Sequence, residues 1–521
     1  MTCSKIFTGD LPELTYEVIK YFQNDYSTLH SCILVNRLWC RLAIPLLWEN
    51  PFSIPTGNYN FIEIYLHNST DDLKTKFNKY KLFNKSFPSN TLFNYPRFLK
   101  YLNTQNFMFS VEKWFESPIK TASLENISYL TDFYIMVDIC VSLFKIFIEN
   151  EVNLHTLEIE SSNIILWDIN LNNILGLILQ NINFIHNIRN LKLHNIDLSK
   201  DIAQIKDRIS QIINLQQNLK KILINRNVIS LYQTLLLSKD YNCSSTLNTI
   251  VFYYVDFKGI NNLKKIFERL NVLESIHFYN CSLNIGFIQQ IINLNKPFKL
   301  KSLFITSGLQ IESLQQLLQM SGGYIENFGY GLDYDLSLNQ QLLELITKYC
   351  KNINFLYFDG FENQVSYQMF NLIENNKQNL NYLLIDIYGN NNFYYSPNDN
   401  IEGSSNILQN LGQALPSKLE YLSLTLTIKE SDFRVFLESS QGIFINKLLI
   451  MQIGSDDILH YIKKYIMNER RVKYLAIKNI ECRIDLFDLK DEVKEFKLHN
   501  IIVRSYNDLY ICVNNYIKNI D

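Results

Sequence analysis

Residues 273–278, LESIHF, and residues 300–305, LKSLFI, share one form: apolar-x-x-apolar-x-apolar. Upstream the form begins at Leu154 (LHTLEI), Ile188 (IRNLKL), Leu219 (LKKILI) and Leu247 (LNTIVF). Downstream it begins at Ile325 (IENFGY), Ile353 (INFLYF), Leu380 (LNYLLI), Leu419 (LEYLSL), Ile445 (INKLLI), Val472 (VKYLAI) and Val493 (VKEFKL). Successive starts differ by 34, 31, 28, 26, 27, 25, 28, 27, 39, 26, 27 and 21 residues. Eight of the twelve intervals lie between 25 and 28, a period that chance alternation does not hold. Each core closes in strict alternation, the signature of a short strand with one buried face. Helical spacing of apolar residues fills the gaps at 262–270, 311–320, 340–349, 367–375, 407–415 and 432–438. One strand–helix unit cannot bury its apolar face alone, whereas stacked neighbours can. The expected fold is an α/β solenoid of about 13 repeats, with parallel strands on a concave face and helices on a convex one.

The 39-residue interval carries Gly389-Asn390-Asn391-Asn392, Ser396-Pro397-Asn398-Asp399-Asn400 and Gly403-Ser404-Ser405. This is turn chemistry without an apolar period, and it predicts a surface loop over 389–405. Ahead of the repeats, residues 53–151 read as a mainly helical connector, with a buried helix over 130–147.

Composition narrows the function. The chain has 521 residues, 47% hydrophobic and 19% charged, which reads as globular with room for more than one domain. A net charge of -2 gives no general attraction to nucleic acid or anionic membrane. Nine cysteines are scattered without a Cys-x-x-Cys pair, so reduced thiols in a cytoplasmic or nuclear protein are expected, and no zinc site. Asp10, Glu13 and Glu17 interrupt any signal-peptide core, and the apolar run 133–148 is too short and too charged to span a membrane. Phosphate-binding, dinucleotide, nucleophile-elbow and zinc-protease motifs are all missing, so no cofactor, metal or catalytic residue is expected. Lys220-Lys221 and Glu469-Arg470-Arg471 read as solvated turns.

The N-terminal stretch 11–52 is LPELTYEVIKYFQNDYSTLHSCILVNRLWCRLAIPLLWENPF. Pro12 suits a helix start. Leu14, Val18, Ile19 and Phe22 follow at helical spacing, then a polar break at Gln23-Asn24-Asp25. A second helical pattern carries Leu29, Cys32, Ile33, Val35, Leu38 and Trp39, and Pro45 opens a third short turn with Leu47 and Trp48. Such a unit is too small to bury a good core alone and needs a partner surface.

Leu11-Pro12-Glu13, Leu34-Val35-Asn36-Arg37-Leu38-Trp39 and Leu46-Leu47-Trp48 resemble an F-box, with Asn36 where Cys is commonest and Phe22 where Leu is usual. The strand–helix period of about 27 resembles the long leucine-rich repeat found behind many F-boxes. The resemblance implies a substrate-recognition subunit of a cullin-type ubiquitin ligase: the F-box docks on a Skp-type adaptor and the repeats hold a target protein for ubiquitin-dependent degradation. It implies adaptor contacts from Leu11, Pro12, Ile19, Leu34, Val35 and Trp39. The expected domains are then an F-box-like unit over 8–52, the connector over 53–151 and the repeats over 152–521. The competing expectation is a leucine-rich interaction scaffold with no ligase role, its N-terminal helices a cap on the larger fold.

On the concave face, alternation places Tyr253, Tyr279, Phe304 and Tyr357 in solvent, with Asp359 and Asp386 beside them. Either these rings form a partner-binding interface core with an acid rim, or they only cover a two-sided strand surface. His194, His277 and His499 fall on the same face but lie several repeats apart.

Overall fold

The computed structural model describes residues 11–23, 25–53, 59–66, 91–122, 129–160, 165–194, 203–225, 229, 242–292, 294, 298–305, 310–331, 336–360, 363–388, 397–467 and 469–520. It is a mixed α/β structure that divides into two compact units, residues 1–248 and 249–521.

The first unit opens with three helices, Pro12–Lys20, Tyr26–Ile33 and Arg37–Leu47. The second starts where the Asp25 carboxylate accepts from the Thr28 N–H at 3.1 Å. The third starts at Asn36, whose side-chain oxygen accepts from the Trp39 N–H at 2.9 Å. Asn36, not Pro45, therefore divides the second and third helices, because a capping oxygen satisfies N–H groups that a helix start leaves unpaired. Pro45 lies inside the third helix near its end. Ile19, Leu29, Cys32, Ala43 and Leu46 form a core, flanked by Tyr16, Phe22 and Trp39.

This small unit is fastened to the connector. The Trp48 ring lies 4.4 Å from Tyr95 and 5.2 Å from Tyr65. The Glu49 carbonyl accepts from the N–H groups of Lys100 (2.9 Å) and Tyr101 (3.1 Å). Its buried carboxylate accepts from Gln23 Nε2 at 2.6 Å and pairs with Lys100. The expected helix over 130–147 is present as Tyr129–Glu149. One strand, β1 (Tyr101–Asn103), lies inside the stretch read as connector. It pairs in parallel with β2 (Thr156–Glu160), followed in order by β3 (Asn190–His194) and β4 (Lys221–Asn225).

The second unit repeats one motif. Its strands are β5 (Thr249–Tyr253), β6 (Ser275–Tyr279), β7 (Lys299–Ile305), β8 (Asn327–Gly331), β9 (Phe355–Asp359), β10 (Tyr382–Asp386), β11 (Lys418–Thr427), β12 (Phe444–Ile453) and β13 (Val472–Asn479). Each pairs in parallel with the next in sequence. Helices such as Leu263–Arg269, Ile311–Ser321, Leu336–Tyr349, Ser366–Asn375 and Glu430–Ser439 connect them. Twelve of the thirteen predicted cores are therefore strands. The thirteenth, at Val493, is instead the helix Lys490–Leu498, so Lys497 and His499 occupy no strand. Its spacing 489, 493, 496 also fits a helical face. Asp491 and Glu492 in its first turn and Lys497 in its last favour the helix dipole. The sheet ends at β13 with short additions, Ile484–Asp485 antiparallel and Ile502–Val503 parallel.

Two further expectations change. Of the predicted loop 389–405, residues 397–405 belong to the helix Pro397–Ala414, because proline's fixed φ suits a first turn. Residues 389–396 lie outside the described residues. Lys221 and Arg471 are buried rather than solvated. The Arg471 guanidinium donates to the carbonyls of Ser440 and Leu437 (3.1 Å for the latter), closing the end of helix Glu430–Ser439.

The helix-facing side of each strand carries the core. Phe252 lies 5.6 Å from Phe278, and Phe257 stacks on Phe287 at 4.0 Å. Fully burying each such side chain stabilises by roughly 1.5–3 kcal/mol. Consecutive repeats are also tied by buried amides. Asn376, at the end of helix Ser366–Asn375, accepts from the Ile353 N–H at 3.0 Å and donates to the carbonyls of Leu372 (3.0 Å) and Cys350 (3.3 Å). Asn376→Leu leaves these backbone groups buried without a partner, at a cost of about 1–3 kcal/mol. A urea midpoint lowered by that cost divided by the m-value, with the m-value itself unchanged, is the expected outcome. An unchanged midpoint would show that the amide does not tie the repeats.

Candidate functional site

Two surfaces stand out, one in each unit. In the first unit the apolar residues of helix Pro12–Lys20 form two adjacent stripes. Thr15, Ile19 and Phe22 turn toward the small core, and Ile19 is 0% exposed. Leu14, Val18 and Tyr21, spaced i, i+4 and i+7, stay in water. Leu34 and Val35, in the turn before Asn36, are also exposed, at 77% and 55%. Of the residues read as adaptor contacts, Pro12, Leu34 and Val35 are exposed and Leu11 is half-buried. Ile19 is core and cannot meet a partner, since the three-helix unit has few other residues to fill its centre. Trp39 is half-buried against that same core. Leu14, Val18 and Tyr21 were missed as surface residues. The doubled apolar stripe was visible in the sequence, but which stripe faces inward depends on where the other two helices cross.

In the second unit the relevant surface is the side of the sheet opposite the connecting helices, called the open face below. Strand register brings Tyr253, Tyr279 and Phe304 side by side on β5, β6 and β7. It also aligns Phe355, Tyr382 and Tyr421 on β9, β10 and β11. The rings form a ladder. Tyr253 stacks on Tyr279 at 4.9 Å and 9°, and Tyr279 lies 5.6 Å from Phe304. Phe304 lies 6.1 Å from Phe355, Phe355 stacks on Tyr382 at 6.0 Å, and Tyr382 on Tyr421 at 6.2 Å. Phe304 bridges the two halves because β8 carries Gly329 beneath its ring, and a Cβ there would collide with it. The missed members Phe355, Tyr382 and Tyr421 sit two residues earlier than those the alternation singled out. The same period-two rule, run one step back, reaches them.

These rings are not in solvent. Tyr253, Tyr279, Phe304, Phe355 and Tyr421 are buried, and Tyr357, Asp359 and Asp386 are half-buried. Their cover is a later segment of the chain. Residues 504–520, the strap, leave β13's edge and run back over the open face as two short helices, Tyr506–Leu509 and Val513–Asn519. The Ile511 N–H donates to the Tyr421 hydroxyl at 3.0 Å. The Tyr516 ring stacks on Phe355 at 4.2 Å, and its hydroxyl donates to Asn327 Oδ1 at 3.0 Å. The Lys518 ammonium lies 5.3 Å from the Tyr253 ring centroid, a cation–π contact.

Beneath the strap runs a buried polar relay. Asn327 Nδ2 donates to Ser302 Oγ at 2.9 Å, and Ser302 Oγ meets His277 Nδ1 at 2.7 Å. His277 is thus held within the sheet; the His194 side chain lies outside the described residues. Among the described residues no group of three or more His, Cys, Asp or Glu is placed to hold a metal ion, and no helix is long and apolar enough to cross a membrane. Burial pushes the thiols of Cys140, Cys281 and Cys350 up to about 12, which leaves them protonated and poor nucleophiles. No protein-family model matches the chain, and no curated protein matches it.

The open face holds its phenols neutral. Burial raises Tyr279, Tyr357 and Tyr421 well above the ordinary phenol range. At Tyr357 the Asp359 and Asp386 carboxylates add to it. Burial pushes Tyr516 up to about 12. A phenol whose folded pKa exceeds its unfolded value of about 10 contributes stability that is complete below pH 10 and is lost as pH rises beyond it. Absorbance titration at 295 nm is expected to show two populations among the 32 tyrosines. One, which includes Tyr279, Tyr357, Tyr421 and Tyr516, ionises only above pH 10, together with loss of the fold. A single reversible transition near pH 10 for all of them would contradict the buried ladder.

Proposed function

We propose that this chain is a non-catalytic substrate receptor of a cullin-type ubiquitin ligase, an F-box unit joined to leucine-rich repeats. In this reading the N-terminal helices dock on a Skp-type adaptor and the repeat sheet presents a protein target. The observation that carries it is the exposed apolar stripe Leu14, Val18 and Tyr21, with Leu34 and Val35, on a three-helix unit whose own core is already filled. A few large apolar anchors of this kind usually dominate an interface. The order of the Leu-Pro start, the Asn36-Arg37-Leu38-Trp39 centre and the closing Leu47-Trp48 supports the same family.

A second reading is an interaction scaffold whose N-terminal helices only cap the fold. The packing of Trp48 on Tyr65 and Tyr95 and the hold of Glu49 on Lys100 are what a cap would show. The two part over the exposed stripe, for which a cap has no use.

The test is capture of purified Skp-type adaptor by the full chain, beside the triple variant Leu14→Ser, Val18→Ser, Tyr21→Ser. These side chains lie outside the small core, so the variant keeps its thermal transition. The receptor reading expects adaptor affinity to fall about 100-fold or more, since each lost anchor costs roughly 1–2 kcal/mol. No capture by the folded wild-type chain would leave the scaffold.

A further inference from the structure

The strap is ordered by the face it lies on. Its helices have four and seven residues, too short to persist in water alone. Its hold is narrow: it buries Tyr506, Val513 and Ile517, while Tyr510 stays 45% exposed. A cleft of about 530 Å³ lies between it and the start of β8, lined by Asn327, Tyr510 and Tyr516 among others. What it covers is a continuous ring ladder and a buried amide whose carbonyl takes the Tyr516 hydroxyl. Such a surface is costly to leave bare. Its features are nonetheless those of a peptide site, with a ring to stack on, an amide to orient a hydroxyl, a tyrosine face for a cation and a hydroxyl for a main-chain N–H. The Asp359 and Asp386 carboxylates beside Tyr357 set its charge preference, since like charges disfavour an acidic segment.

We propose that residues 504–520 hold in cis the place of a partner segment. The open face takes a short stretch of protein chain bearing an aromatic residue followed two positions later by lysine, as Tyr516 and Lys518 do. The inference rests on the receptor reading only in calling that partner a target. A tethered strap competes at an effective concentration on the order of millimolar. The partner therefore binds when it outcompetes the strap or when the strap is loosened.

The experiment uses full chains and a fluorescein-labelled peptide with the sequence of residues 504–521, read by anisotropy. The variant Tyr516→Ala, Ile517→Asp, which loosens the strap, is expected to bind the peptide at least tenfold more tightly than wild type. Peptides carrying Tyr516→Ser or Lys518→Glu are expected to bind that variant at least tenfold more weakly than the native peptide. A cooperatively folded variant that binds no peptide, or binds all three alike, overturns the proposal. Should the variant not fold, hydrogen exchange on the wild-type chain decides. Strap amides that exchange well before those of β8–β11 support a displaceable strap, and amides that exchange together with them overturn it. Adaptor capture measured on the same proteins depends on Leu14, Val18 and Tyr21. Its loss with peptide binding intact counts against the receptor reading alone, and the converse counts against the strap alone.

Discussion

The strands of residues 249–479 bury side chains on both faces, and both faces must be kept from water. A five-residue strand such as Thr249–Tyr253 sends Ile250 and Phe252 one way and Val251 and Tyr253 the other, and all four are buried. Stacking in parallel satisfies the backbone, and each connecting helix covers the first face. The second face has no helix of the repeat to cover it. Residues 504–520 meet the demand, laid over the aromatic ladder from Tyr421 to Tyr253. The sheet, the helix layer and the strap are thus answers to one constraint.

The N-terminal unit inverts the balance. Its three helices bury Ile19, Leu29 and Leu46 and still leave Leu14, Val18 and Leu34 in water. Trp48 and Glu49 secure it to the connector without using that stripe. The molecule covers a large apolar face in one unit and leaves a smaller one open in the other, and this contrast carries the functional reading.

Much of the architecture was legible. Twelve cores at near-constant spacing announced their strands, because the period of two within each core and the period near 27 between cores agree. Legibility failed where a short pattern fits two periods. Val493, Phe496 and Leu498 satisfy the strand template, yet flanking charges suit a helix, and the free edge of β13 is taken instead by Ile484–Asp485 and Ile502–Val503. The polar run after Ser396 looked like loop, but a proline at a first turn with apolar residues at 407, 408 and 411 is enough for a helix that packs. Arg471 looked solvated because its charge is plain in the sequence, while the carbonyls that receive it come from another repeat.

The candidate sites divide the same way. From sequence came the alternation that puts Tyr253, Tyr279, Phe304 and Tyr357 on one face, and the landmarks that mark residues 11–52 as a small helical unit. These follow from local geometry, in which side-chain direction depends only on position along a strand or helix. The tertiary structure alone decided that Ile19 turns inward while Val18 stays out, that Gly329 lets Phe304 reach Phe355, and that the face is already occupied. Each of these depends on which distant segments meet: three crossing helices, three adjacent repeats, and a strap whose Tyr516 lies 189 residues from the Asn327 it binds. Residues that far apart leave no period in the sequence, and only the packed chain brings them into contact.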